Sequence, residues 1–515
     1  MASSSIGASA DVQVQIAAGG GGTRRARSNR TRTALALAAA LGVGAGGCTL
    51  KPAYTRPELP VADRYPGEDG TNAAASEQAA ADMGWRDVFA DERLQALVAQ
   101  AIANNRDLRV AALNVERVQA LYRIQRAPLY PSLAASAQAT YQQLPADLPS
   151  SQFAPTEQYS VSLGVTAWEL DLFGRVRSLS EQALHDWFAT AEARRGAHLA
   201  LVAQVATAHY QERALEEQLV LARQTLEAVE QSFAVTRRAA EVGTASELDL
   251  RTAESQVQTA RVNLATYEQQ HAQAVNALTF LVGGALPENL PEAKPLETSV
   301  VRTELPAGLP SELLTRRPDI LAAEHALQGA NASIGAARAA FFPSISLTAA
   351  GGVSSTELAG LFGAGALTWS FVPRLNLPIF RGGALRASLD VAEVSKQIEV
   401  ARYERAIQVA FREVADALVA RRAIDSQLES QRARVEAEER RFALAEQRYR
   451  AGVDRYVTLL TAQRDLYSAQ QQLINAQLAR LANVATLYRA LGGGWNERTV
   501  TGEAEAAAPA PSPNG

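Results

Sequence analysis

The 515 residues hold one cysteine, Cys48, so an intrachain disulfide is impossible and a thiolate zinc cage is excluded. The five histidines, His185, His198, His209, His271 and His325, are scattered. No HExxH pair, no GxSxG nucleophile turn and no GxxxxGK(S/T) phosphate loop occurs, and the GAG of Gly363–Gly365 is too short to cradle a nucleotide. Met1 and Met83 are the only methionines, which leaves no thioether relay for soft metals. The sequence therefore indicates neither an enzyme nor a metal centre, and the chemistry left is acylation. Arg24, Arg25, Arg27, Arg30 and Arg32 precede an apolar run from Ala34 to Val43, and Ala45, Gly46 and Gly47 lead into Cys48. That order makes residues 1–47 an export signal, too short to span a bilayer. Cys48 is the expected attachment point of a covalent lipid and the only non-protein group expected; the usual processing box has Leu three residues earlier, where this chain has Ala45.

The formal net charge is −4, and removing the leader's five arginines and Asp11 leaves the mature chain near −8. No basic face interleaved with aromatics is present, so nucleic acid is not an expected partner. After the signal no stretch reaches the roughly 18 uninterrupted apolar residues of a membrane helix. If the mature protein enters a membrane, it must do so as strands.

The elements that carry the rest occur twice. The run from Arg106 lies over that from Arg317, with Pro131 on Pro343, an offset of 212. EVGTASELDLRTAE from Glu241 lies over RAGVDRYVTLLTAQ from Arg450, with Gly243 on Gly452, an offset of 209. Solenoid units run to roughly 20–50 residues, so a unit this long is a duplicated half of one object. The chain divides into 1–47 (signal), 48–105 (N-terminal segment), 106–282 (first repeat), 283–317 (Pro-rich linker), 318–491 (second repeat) and 492–515, whose end after Gly502 reads as disordered.

Each repeat predicts two strands. Leu133, Ala135, Ala137, Ala139 and Tyr141 alternate with polar or small residues, as do Ile345, Leu347, Ala349 and Val353. Their partners read Tyr159, Val161, Leu163, Val165 and Leu367, Trp369, Phe371, Leu375, Leu377. Such period-2 runs have one apolar and one polar face, and their lengths suit tilted membrane strands. The apolar phase slips at Ala167 and Trp168, which predicts a bulge. Trp168 and Trp369 are expected in or near the barrel. Four strands cannot close a barrel, and lipid offers no partner to a free edge, so further chains must complete it.

The rest predicts helices: 179–242 and 384–450 as long ones, and 106–130, 246–282, 318–342 and 455–491 as short ones. A 64-residue helix is ~96 Å long at ~1.5 Å rise per residue. The short runs sum to nearly the same length in pairs, so 246–282 with 318–342, and 455–491 with 106–130, are expected to stack end to end beside a long helix. Leu250, Val257, Leu264, His271 and Leu278 recur every seven residues, as do Leu460, Tyr467, Ile474, Leu481 and Tyr488, which predicts left-handed coiled-coil packing. His271 on that seam reads as a packing residue.

The chain resembles the TolC-like outer-membrane channels, in the OprM/NodT-type lipoprotein branch serving resistance-nodulation-division pumps. The residues that carry the resemblance are Cys48 with KPAYTRP of Lys51–Pro57, WELDLFGRVR of Trp168–Arg177, GTASELDLRTAES of Gly243–Ser255, RYRAGVDRYVTLLTAQRDLYSAQ of Arg448–Gln470, and LYRALGGGW of Leu487–Trp495. It covers Cys48 to about Trp495. It implies an α+β membrane protein: a tandem-repeat protomer in a homotrimer, with a twelve-stranded outer-membrane β-barrel continued by a twelve-helix coiled-coil α-barrel in the periplasm of a Gram-negative bacterium, and a mixed equatorial belt formed by 48–105 and 283–317. The implied function is a passive duct in a tripartite efflux pump, with outer-membrane lipid, a periplasmic adaptor and an inner-membrane resistance-nodulation-division pump as partners. A type I protein-secretion channel is the close alternative; a lipid-anchored periplasmic coiled-coil scaffold would have no use for the strands.

The resemblance also implies that the hairpin turns at Gly243 and Gly452 constrict the tunnel mouth. Asp249, Asp454, Val457, Thr458, Thr461 and Arg464 are the entrance candidates. The family usually carries aspartate where this chain has Thr461, so the ring at that level is expected to be neutral or mixed. Two carboxylates have a competing reading: Ser246 to Asp249 has capping-box spacing, and Asp454 is placed to serve as an N-cap.

Overall fold

The computed structural model of the protein describes residues 49–65, 82–143, 157–299, 301, 305 and 313–499. The export signal, Cys48 and the tail after Gly502 lie outside them. In chain order the described helices and strands are α1 (Trp85–Val88), α2 (Glu92–Asn104), α3 (Arg106–Arg126), β1 (Leu133–Tyr141), β2 (Glu157–Leu170), α4 (Arg175–Glu241), α5 (Glu247–Val282), α6 (Leu313–Arg316), α7 (Pro318–Ala339), β3 (Ser344–Ser355), β4 (Leu367–Asn376), α8 (Ala384–Arg450) and α9 (Tyr456–Ala490). The halves correspond element for element, and α4 and α8 each have 67 residues, ~100 Å at ~1.5 Å per residue. Among the described residues, no helix is long and apolar enough to cross a membrane.

The strands form one antiparallel sheet in the order β1-β2-β3-β4, joining the two repeats between β2 and β3. Its register gathers the apolar positions on one face: Ala135 pairs with Leu163, Leu163 with Gly351, and Gly351 with Trp369. On the other face the Ser136 and Ser162 hydroxyls lie 2.9 Å apart, and Gln158 Nε2 donates to Ser354 Oγ (3.1 Å). The expected phase slip is a bulge. The β2–β3 register shifts between Val165 and Trp168, Ala167 takes φ 48°, and its N–H donates to Thr348 Oγ1 (3.1 Å). The extra residue returns Trp168 and Leu170 to the apolar face, opposite Leu347 and Ile345. β1 and β4 remain as edges, and Leu367, Trp369, Phe371 and Leu375 of β4 are exposed in the single chain.

The short helices do stack end to end, but in different pairs from those expected. α5 ends on the start of α3, where Asn105 caps Leu108 N with its Oδ1 and donates from Nδ2 to Leu281 O (2.9 Å). α9 ends on the start of α7, where Arg317 Nη1 donates to Ala490 O (2.8 Å). Each stack therefore lies within one repeat instead of crossing between repeats. Asn105 and Arg317 hold the same repeat position, at offset 212, and both satisfy a carbonyl that the end of an α-helix leaves without an intrahelical donor. Both stacks run against α4 or α8. Every seam residue is buried or half-buried, as the heptad pattern requires. His271 Nε2 sits 3.0 Å from Glu216 and 3.3 Å from Glu212, a packing residue with carboxylate partners.

The joints are wrapped by a belt drawn from the segments 48–105 and 283–317, whose internal elements the sequence pattern did not show. α1 and α2 contribute Trp85, Phe89, Leu94 and Leu97 to a core shared with Tyr210, Ile320, Tyr403 and Tyr488. Asp91 caps α2 and lies 3.5 Å from His209, both buried. Residues 49–65 form an arm antiparallel to α7: Lys51 pairs with Glu181 (2.5 Å), Asn331 Nδ2 donates to Pro52 O (2.8 Å), and Arg56 grips buried Glu324 through Nε and Nη2 (2.9 and 2.8 Å). The arm thus begins near the strand end of α7.

Candidate functional site at the helical tips

All four strands leave one end of the helices, and the turns at Gly243 and Gly452 lie at the other. Each glycine takes a left-handed conformation, φ 77° and 72°, which a residue with a Cβ adopts only under strain. Beyond these shared turns the two tips are built differently.

In the first tip, neutral hydroxyls satisfy the helix ends. Thr244 Oγ1 donates to Ala239 O (2.9 Å), and Ser246 caps α5 by accepting from Asp249 N–H (3.1 Å). The Ser246 hydroxyl donates in turn to Asp249 Oδ2 (2.7 Å). Asp249 is half-buried and accepts from the cap hydroxyl, so it supports the N-cap of α5 without the backbone bond of a full capping box.

In the second tip the corresponding work falls to an ion pair. Asp454 is not an N-cap: that position is Arg455, whose side chain makes no cap hydrogen bond. Asp454 reaches back across the turn instead, accepting from Arg448 Nε (2.7 Å) and Nη2 (3.0 Å). The guanidinium hydrogen bonds hold the Asp454 carboxyl below its usual range, and the carboxylate raises Arg448. Val457 and Thr458 are exposed, and Thr461 is half-buried with its hydroxyl on Val457 O (2.8 Å). Arg464 is exposed and lies 3.9 Å from Asp465, which is itself held by Arg441 Nη1 (2.9 Å). Within one chain, Asp249, Asp454 and Arg464 are not brought together; the two acids are satisfied inside their own hairpins.

Sequence reasoning missed Tyr456. It starts α9 and is buried, with its ring 5.7 Å from that of Tyr449, and its hydroxyl is reached by Ser232 Oγ of α4 (3.5 Å). Burial pushes its phenol upward in pKa. It ties the second tip to the first repeat. Its place one residue after the N-cap, ahead of an apolar seam, was the available signal.

The family model described as outer membrane efflux protein matches residues 97–284 and 309–493, one stretch for each repeat. The chain is 49% identical over 473 residues to the "Toluene efflux pump outer membrane protein TtgC" of Pseudomonas putida, covering 91% of this chain and 97% of that one. It is 43% identical to the "Outer membrane protein OprJ" of Pseudomonas aeruginosa, covering 88% and 94%. Among solved structures, the open state of the Neisseria gonorrhoeae MtrE outer membrane channel superposes with a TM-score of 0.81 at 42% identity, covering 88% of this chain and all of that one.

Proposed function

The chain belongs to the outer membrane efflux protein family, and from that premise we propose that three copies form the outer-membrane channel of a tripartite efflux pump. The observation that carries the assembly is the four-stranded sheet: it has an apolar face and two unpaired edges, a state that lipid does not tolerate and that twelve strands in a ring abolish. The ~100 Å helices then continue the barrel as a tunnel of twelve helices across the periplasm. The duct is passive; a periplasmic adaptor docks on it, and an inner-membrane resistance-nodulation-division pump supplies the energy. The relative named for toluene efflux supports small organic molecules, not secreted proteins, as cargo. A lipid on Cys48 completes the anchoring, and the arm beginning near the strand end of α7 supports it, because that is the end an acyl chain requires.

The tunnel mouth is assigned to the tips, with Asp249, Asp454, Val457, Thr458, Thr461 and Arg464 around it. A gate made by these acids between neighbouring chains must compete with the Ser246 and Arg448 bonds described above. Mass measurement of the detergent-solubilised protein tests the assembly: a trimer with ion conductance in planar bilayers is expected, and a monodisperse monomer overturns it. Replacing Asp249 and Asp454 together by Ala tests the gate. Higher single-channel conductance supports it, whereas parental conductance with a lowered melting temperature reduces both residues to hairpin stabilisers.

A further inference from the structure

At the strand end of the helices the order across one chain is α3, α4, α7, α8, so α3 and α8 are its free edges as β1 and β4 are those of the sheet. No residue of α3 is buried, and Val110, Leu113 and Ile124 are exposed on it. Near the start of α8, Val391, Val394 and Ile398 are exposed in the same way. A single chain covers neither edge.

The duplication supplies the geometry of the missing contact. Positions of α3 and α7 correspond at offset 212. Those of α4 and α8, each 67 residues long and each preceded by a left-handed glycine, Gly174 and Gly383, correspond at offset 209. In a closed ring, α8 of one copy meets α3 of the next as α4 meets α7 inside each chain. That inner crossing is close: a Cβ on Gly329 of α7 would stand 3.5 Å from His185 Cβ, and one on Gly335 would stand 2.7 Å from Ser178 Oγ. The rings of His185 and His325 stack 5.6 Å apart, and Lys51 of the arm, lying over Gly335, pairs with Glu181 (2.5 Å). Carried to the edges, the two histidines become the exposed apolar residues Val394 and Leu113. Glu181 becomes Asp390, Ser178 becomes Ala387, and the two glycines become Arg117 and Arg123. Arg123 therefore stands where Lys51 overlies Gly335, and the smaller Ala387 leaves it room. Its guanidinium is exposed and has no partner among the described residues. Asp390 is 56% exposed, with only Arg386 of its own helix beside it (3.2 Å).

We propose that the α3 edge of one copy docks on the α8 edge of the next in this register, with Leu113 packed on Val394 and Arg123 paired with Asp390 across the seam. The inference rests on the trimeric reading and adds to it the register of the seam and the charge pair that fastens it. Both crossings then hold a cation against a carboxylate one turn into a long helix. Inside the chain the arm brings the cation; between chains α3 carries it.

The test uses the full-length detergent-solubilised protein. Arg117→Cys combined with Val394→Cys should give chains linked in twos and threes on a denaturing gel after oxidation. Their counterparts Gly329 and His185 place the β-carbons 3.5 Å apart, within the range a disulfide needs. Neither single variant should link, and Arg117→Cys with Ile398→Cys, about 6 Å further along α8, should not link either. For the charge pair, Asp390→Arg should lower the temperature at which the trimer dissociates, and adding Arg123→Asp should restore most of the loss. Repulsion from Arg386 alone would leave that rescue absent, because Arg123 of the same chain lies on the opposite edge. A trimer by mass in which the first pair stays unlinked, or links no better than the shifted pair, overturns the register and leaves the trimeric reading standing. An Asp390→Arg variant without effect, or without rescue, overturns the ion pair. A monomeric parent protein overturns both the seam and the reading on which it rests.

Discussion

At the end of α4 the chain turns on Gly243 and is closed by Thr244 and Ser246; at the equivalent end of α8 it turns on Gly452 and is closed by Arg448 and Asp454. The turn geometry has been kept in both halves and the chemistry that closes it has not. Hydroxyl caps are neutral, short-ranged and indifferent to salt. A solvent-exposed ion pair is weak and screened, and it disappears when its carboxylate is protonated. Duplication thus supplied two equivalent turns, and only in the second does an ion pair reach across the turn itself. The second tip also has an aromatic anchor, Tyr456, which the first lacks at the corresponding Glu247.

That anchor supplies the largest expected difference. Tyr456→Ala removes a buried ring at the start of α9 and is expected to cost about 3 kcal/mol of local stability, the lower end for deleting a buried aromatic. Amide exchange over 453–460 should accelerate roughly a hundredfold, with the first tip near its parental rate. Equal acceleration at residues 243–250 would show that the tips open as one unit and would break the comparison.

Most of the architecture was legible because its signals are local. The alternation of Leu163, Val165 and then Trp168 carried both the strand and its bulge, and the heptads ending at Leu278 and Tyr488 carried the seams. The stacking partners were not legible, because summed helix lengths fit either pairing. What decides is a cap residue at each joint, Asn105 or Arg317, and its acceptor lies far away in the chain. The path of residues 49–65 escaped for the same reason: an arm without periodicity is ordered by long-range partners such as Glu324 and Phe411. At the tips, spacing paired Ser246 with Asp249 at the start of α5, whereas the N-cap alternative for Asp454 is not made, because its partner Arg448 lies across the turn.

The next expected effect lies in the first tip. Ser246→Ala removes the N-cap of α5 and should cost about 1 kcal/mol, seen as roughly fivefold faster exchange of the amides at 248–250. The effect should be the same at low and high salt, since no ion pair is lost. A cost that shrinks in salt would mean that Asp249 acts mainly as a charge and would weaken the contrast between the tips.

Salt should act on the other side of the comparison. In the parent protein, raising salt to about 1 M shortens the screening length to ~3 Å and should loosen the clamp between Arg448 and Asp454. Trypsin cleavage at Arg448, Arg450 and Arg455, taken as a ratio to cleavage at Arg237, Arg238 and Arg251, should rise modestly, and Asp454→Asn should abolish the rise. A ratio that ignores salt in the parent would show that the turn is held without the pair.

Acid should give the smallest and most specific effect. The folded-state pKa of Asp454 lies below its ordinary value because Arg448 stabilises the carboxylate. Its contribution is therefore complete above the unfolded pKa, near 3.9, and is lost only as the pH falls through the lower folded value. Between pH 7 and 5 the second tip should be unchanged. Below pH 4 its cleavage by pepsin should rise relative to the first tip, since taking the ratio cancels the protease's own pH dependence. The capping hydroxyls of Thr244 and Ser246 do not titrate. The distinguishing variant is again Asp454→Asn, which should make the ratio flat with pH. A ratio that still rises in that variant would place the acid-sensitive group elsewhere and would remove titration from the difference between the two tips.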